Sequence, residues 1–179
     1  MNPKSKRTRS APATEIRRLI AAFGEPSLDE RHKAVAGLAA CGEPAVAVLI
    51  RFLAEAQDND QRWYAAVTLS KIGGPAVIPV ITAMKENTDK EFRRYAAAAL
   101  GGMGSPAVEP LIDAMGSGDR ELRGVLSLAL CRIGKPAVEP LTRRLADADE
   151  VIRSCATLTL WQMGETGLPS MVESLQDKE

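Results

Sequence analysis

Apolar residues along this chain recur with the period of a helix. Val46, Leu49, Ile50 and Leu53 stand at i, i+3, i+4 and i+7, and Val108, Leu111, Ile112 and Met115 repeat the spacing. Each set makes one apolar stripe on a helix. A second kind of stripe follows each of the first. Phe92, Ala96, Leu100 and Met103 form one, and Ile152, Ala156, Leu160 and Met163 form another. The two kinds alternate, which predicts pairs of packed helices.

A recurring phrase punctuates the pairs. Gly42-Glu-Pro-Ala-Val46, Gly73-Gly-Pro-Ala-Val77, Gly104-Ser-Pro-Ala-Val108 and Gly134-Lys-Pro-Ala-Val138 are four copies, and Gly164-Glu-Thr-Gly-Leu168 is a degenerate fifth. These glycines lie 31, 31, 30 and 30 residues apart, so one structural unit repeats along the chain. The glycine is expected to close a helix in a left-handed cap conformation. The proline after it suits the first turn of the next helix, where its missing N–H would have had no partner. Pro79, Pro110 and Pro140 fall four residues further on and interrupt the hydrogen-bond ladder. Either a bend or a loose first turn is expected there.

The second helix of each unit opens on a residue that accepts hydrogen bonds from free N–H groups: Ser27, Asp58, Asp89, Asp119 and Asp149. Four residues later stands an arginine: Arg31, Arg62, Arg93, Arg123 and Arg153.

The composite pattern Asp-x-x-x-Arg-x-x-Ala-x-x-x-Leu-x-x-Ile-Gly-x-Pro-Ala-Val resembles the short HEAT-like repeats of bacteria and archaea, including the phycobilisome-lyase type. The resemblance covers about residues 12–175. It implies an all-α fold, a right-handed α-α superhelix of about five and a half helix-pair repeats. The repeats fall at about 12–42, 43–73, 74–104, 105–134 and 135–164, with a terminal helix at 167–176, in one domain spanning 12–179. The resemblance also implies that the second helices line the concave face. It implies a ladder linking successive repeats, formed by Asp58, Arg62, Asp89, Arg93, Asp119, Arg123, Asp149 and Arg153. The terminal helix reads as a cap, as the truncated end of a longer array, or as an edge that pairs with another subunit.

The arginine row read alone invites a polyanion site. A cap one turn before each arginine, and another in the neighbouring repeat, makes geometry between repeats the preferred reading. The aromatics break the repeat and carry the functional expectation. His32, Trp63, Arg94, Gly124 and Ser154 form one line across the second helices, and Lys33, Tyr64, Tyr95, Val125 and Cys155 form the next. Tryptophan, tyrosine and arginine dominate binding hot spots. Trp63, Tyr64, Arg94, Tyr95 and His32 are therefore the expected partner-binding residues, although the tyrosines also suit the seam between repeats. Trp161 either extends this patch or lies beneath the final helix, and the second placement is preferred.

Charge and cysteine usage narrow the function classes. Lys4, Lys6, Arg7 and Arg9 make residues 1–11 a basic tail, read as a flexible solubilising terminus or as a contact for an anionic surface. Without them 19 basic residues face 23 acidic ones, about −4, which argues against a general grip on nucleic acid. Cys41, Cys131 and Cys155 lack metal-site spacing and read as reduced thiols in a cytoplasmic protein. His32 is the only histidine, so no metal site is expected. HEAT-like deoxyhypusine hydroxylases need repeated His-Glu pairs, which this sequence lacks. No phosphate-binding Gly-x-x-x-x-Gly-Lys phrase occurs, and no apolar run is long enough for a membrane span.

The expected function is a non-catalytic scaffold that binds a protein partner on its concave face and needs no cofactor. Its oligomeric state is left open between a monomer and a dimer through the C-terminal helix. Two alternatives come from the resemblance: a bilin lyase or bilin-handling subunit, and a HEAT-like DNA-binding protein.

Overall fold

The computed structural model describes residues 13–176. The basic segment 1–11 and the acidic end after residue 176 lie outside them. The first helix pair is α1 (Ala13–Ala21) with α2 (Leu28–Cys41), and the second is α3 (Glu43–Glu55) with α4 (Asn59–Ile72). Then come α5 (Gly74–Glu86) with α6 (Lys90–Met103), α7 (Val108–Ala114) with α8 (Arg120–Ile133), and α9 (Lys135–Arg143) with α10 (Glu150–Gln162). The lone α11 (Leu168–Gln176) packs on α9 and α10. First helices stack on first helices and second on second, which makes a two-layered α-α superhelix.

The apolar stripes face the seam between the layers. Leu38, Leu49, Leu53, Leu69, Leu100 and Leu111 are fully buried. Burying such side chains contributes about 1.5–3 kcal/mol each against the entropy of ordering the chain. Second helices approach one another more closely than first helices do, which places them on the inside of the curve. Alpha6 allows this at its C-terminal end. A Cβ on Gly101 would stand 2.7 Å from Cδ of Arg132 on α8, and one on Gly102 would collide with Oγ of Ser70 on α4. The two glycines are therefore spacers between three helices.

The linking glycines correct one expectation. Gly42, Gly73, Gly104 and Gly134 have φ of 66°, 72°, 72° and 75°, with ψ of −140°, −134°, −146° and −136°. This is not the left-handed helical region, which an asparagine also tolerates. It lies in a part of backbone space that is open essentially to glycine alone. Each glycine ends one helix, and its carbonyl accepts from the N–H three residues on to start the next, as Ala45 does to Gly42 at 3.0 Å. A single residue thus replaces a loop.

The prolines behave differently from one another. In the fourth pair a 3-10 turn at Ser105–Ala107 precedes α7, so Pro110 falls within the first turn of the regular helix. There its missing N–H breaks no hydrogen bond. By contrast, α5 and α9 run on through Pro79 and Pro140.

At the opposite edge, each second helix begins on its side-chain cap. Asp58 accepts from the Gln61 N–H at 2.9 Å, Asp89 from Phe92 at 2.7 Å, and Asp119 from Leu122 at 3.0 Å. Asp149 accepts from Val151 at 2.7 Å, and Ser27 accepts from Glu30 at 3.5 Å.

The arginines depart from the expected ladder. Only Arg93 reaches the cap of the following repeat, donating to Asp119 at 2.7 Å. The shared contact is instead with the loop between the two helices of the arginine's own repeat. Arg31, Arg93, Arg123 and Arg153 donate to the carbonyls of Glu25, Asn87, Ser117 and Asp147, always six residues back. Arg62 is the exception, since its buried Nε has no partner among the described residues. Asp58, Asp89 and Asp149 act as caps, and no arginine of a neighbouring repeat bonds their carboxylates among the described residues. The physical reason is directional: a guanidinium one turn into the helix points back over the loop, whose carbonyls are nearer than the next repeat's acid. Among the described residues the row is thus a set of loop staples with one close rung to the next repeat's cap, Arg93 to Asp119, and one longer ion pair between repeats, Arg31 to Asp60 at 3.8 Å. On the outer layer, Glu109 and Asp113 of α7 hold Arg143 and Arg144 at 2.9–3.2 Å, a second link between repeats.

Candidate binding surface

The inner faces of the second helices carry the groove that the sequence pointed to. Its central part lies between α4, α6 and α8, encloses about 470 Å³, and is walled by Trp63, Tyr95, Val125 and Leu128. A cleft of about 260 Å³ adjoins it, with Trp63 and Arg132 common to both. A third hollow runs from Trp63 toward His32 on α2, and a fourth, about 410 Å³, lies between α8 and α10. Trp63 is therefore the partition between neighbouring hollows, and it is 47 % exposed.

The expected patch is divided by the structure. Tyr64 is buried, its ring stacked on Phe23 at 5.8 Å and Phe23 packed in turn on Phe52 at 5.8 Å. It belongs to the core between the first two repeats, under Arg31, whose guanidinium lies 5.6 Å from its centroid. His32 meets the Tyr64 ring edge-on at 6.3 Å and stays exposed at the groove's N-terminal end. Tyr95 is half-buried beneath Arg94, which sits 4.5 Å from the ring centroid. Arg94 also pairs with Glu91 at 2.6 Å, and that carboxylate raises the guanidinium pKa further. Its charge is thus spent within its own helix.

Other residues of this face were missed. Trp161, expected beneath the final helix, is 65 % exposed. Leu128 and Leu158 are equally open and occupy the place held by Ala36, Val67 and Ala98 in earlier repeats. A leucine outside the buried stripe, where earlier repeats keep the smaller Ala36, Val67 and Ala98, was the available signal.

Burial pushes the thiols of Cys41, Cys131 and Cys155 above their ordinary range, which lowers the thiolate fraction at neutral pH. Ser127 on α8 is satisfied by Thr159 and Gln162 at 2.8 and 2.9 Å, a polar seam with α10. Among the described residues no three His, Cys, Asp or Glu side chains gather as a metal site would require. No helix there is long and apolar enough to cross a membrane.

Stacked helix pairs with capped second helices and a grooved inner face define an α-solenoid repeat protein. The chain belongs to the HEAT repeats family, which matches residues 16–101 and 79–161. No curated protein matches the sequence. Among solved structures it is similar to the complex of CpcE and CpcF of phycocyanin lyase from Nostoc sp. PCC7120. The identity there is 24 %, over 82 % of this chain and 98 % of that one, with a TM-score of 0.43. It is also similar to a designed armadillo repeat protein in complex with the peptide (KR)4, at 16 % identity, 91 % coverage of both chains and a TM-score of 0.35.

Proposed function

We propose that the chain is a non-catalytic scaffold that holds a protein partner against the inner faces of α4, α6, α8 and α10. The observation that carries this reading is the row of large apolar side chains left open on that face. Trp63, Leu128 and Leu158 are each 47–62 % exposed and line the grooves between successive second helices, and Trp161, 65 % exposed, stands on the last of these helices. Isolated exposed apolar residues are ordinary, whereas a line of them rimmed by charge marks an interaction surface.

The test is partner capture from an extract of the native host, read by mass spectrometry. Wild type is compared with Trp63→Ala combined with Leu128→Ala. Both side chains are exposed, so the helical circular dichroism should not change. Loss of the captured protein supports the reading. Capture undiminished by the double variant rules out this surface.

A further inference from the structure

We propose that the central groove and the cleft adjoining it receive an acidic segment of the partner, with a carboxylate held in the cleft by Lys71 and Arg132 and an apolar side chain seated in the groove against Trp63 and Leu128. This rests on the scaffold reading above and names the partner's chemistry.

Lys71 ends α4 and Arg132 ends α8, two helices with α6 between them, yet both line the same cleft. Between them α6 presents no side chain at Gly101 or Gly102, which leaves the cleft open from one to the other. The stem of Arg132 lies directly over Gly101, so closely that a Cβ would touch its Cβ and Cγ at 3.0 Å. The glycine surface thereby fixes the arginine's stem across α6, beside the cleft it shares with Lys71.

The two charges are available. Neither Lys71 nor Arg132 has a carboxylate within ion-pair distance among the described residues. Arg94 differs, because Glu91 neutralises it. The groove's acid, Asp60, stands at the opposite edge and faces Arg31 at 3.8 Å. Cations in the last turn of a helix complement its dipole. That accounts for one cation on each of the two helices, but not for both lining one cleft, Arg132 with its stem held over Gly101. The chain beyond its first ten residues is acidic by about four charges, so this cationic edge is a local departure.

Charge complementarity selects the occupant. A basic segment, including this chain's own Lys4, Lys6, Arg7 and Arg9, is repelled. A nucleic acid strand needs a track of phosphate contacts, and two cations beside an apolar wall do not provide one. A carboxylate next to an apolar anchor satisfies both halves of the groove. Arg132 offers it a planar pair of donors, Lys71 a point charge, and Trp63 and Leu128 the desolvated wall.

The experiment is fluorescence anisotropy with three short labelled peptides. They share leucine at every fourth position and differ in having glutamate, serine or lysine between. The glutamate peptide is expected to bind at least about tenfold more tightly than the serine peptide. Lys71→Glu combined with Arg132→Glu should abolish that preference and favour the lysine peptide, whereas Arg94→Ala should preserve it. Circular dichroism checks that each variant keeps its helices. The proposal is overturned if the serine or lysine peptide binds as tightly as the glutamate one, if none binds, or if the preference survives the double reversal. It is also overturned if sedimentation shows a wild-type dimer that the reversal splits, which would give the groove to a second copy. Loss of capture in Trp63→Ala with Leu128→Ala, without a glutamate preference here, would remove the acidic assignment and leave the scaffold reading standing.

Discussion

Arg93 joins two repeats through one side chain: its Nη2 donates to Asp119 at 2.7 Å while its Nε donates to the carbonyls of Met84 and Asn87 at 3.1 and 2.8 Å. It is 2 % exposed, the largest polar side chain in the core. Arg93→Met keeps much of the volume but leaves the carbonyls of Met84 and Asn87 without this donor. A loss of about 2–4 kcal/mol is expected in urea unfolding. Arg62→Met breaks no ion pair and should cost under about 1 kcal/mol. Equal effects would mean that the inter-repeat rung adds nothing.

The same pair sets an acid limit. The donor from Arg93 and the helix N–H groups hold the Asp119 carboxyl below its ordinary pKa. Asp147 is held low by the Asp149 N–H and then by Arg144. A carboxyl depressed in the folded state stabilises above its unfolded pKa, and that contribution is lost as pH falls through the folded value. The melting temperature should therefore change little from neutral pH down to the carboxylate range and drop below about pH 4. In Asp119→Asn the melting temperature at neutral pH is lower and the acid drop shallower. A variant whose acid profile parallels wild type would contradict this assignment.

Gly73 and Gly74 are adjacent and should respond oppositely to alanine. Gly73 has φ 72° and ψ −134°, so a Cβ there costs about 1–3 kcal/mol although nothing lies within 4 Å. Gly74 opens α5 with an ordinary φ and the same open space. Alanine there should stabilise by up to about 0.5 kcal/mol through a less flexible unfolded chain. Thermal melts of the two variants decide it. The same sign for both would show that the linker conformation is relaxed in solution.

Tyr64 and Trp63 are neighbours with separate roles. Tyr64→Ala opens the aromatic cluster around Phe23 and should cost about 3–5 kcal/mol. Trp63→Ala removes an exposed side chain and should stay within about 1 kcal/mol while weakening partner capture. A stable Tyr64→Ala protein that fails to capture partner would return Tyr64 to the binding surface.

The repeat register was legible because its markers act locally. A cap aspartate needs only its own helix, and the glycine interval reports chain length per unit whatever the packing. Face assignment depends on how neighbouring helices cross. Tyr64 and Trp63 are consecutive, and only the position of Phe23 from the preceding repeat decides which of them turns inward. Trp161 is open because α11 covers α9 and the other side of α10. The arginine row shows a further limit. Residue type announces a carboxylate partner, but a loop carbonyl is carried by every residue, so spacing alone pointed to the acid. Leu128 and Leu158 stand out only against the smaller Ala36, Val67 and Ala98 that occupy their place elsewhere.

The one-residue glycine joint also constrains how the chain can change length. A residue added at Gly42, Gly73, Gly104 or Gly134 would rotate the following helix by about 100° and turn its apolar stripe away from the core. The opposite edge, where α5 leads to α6 through residues 87–89 and α7 to α8 through 115–119, has slack to absorb extra residues. Sequence drift and engineered insertions should therefore collect along one rim of the solenoid. The other rim admits change only in whole repeats.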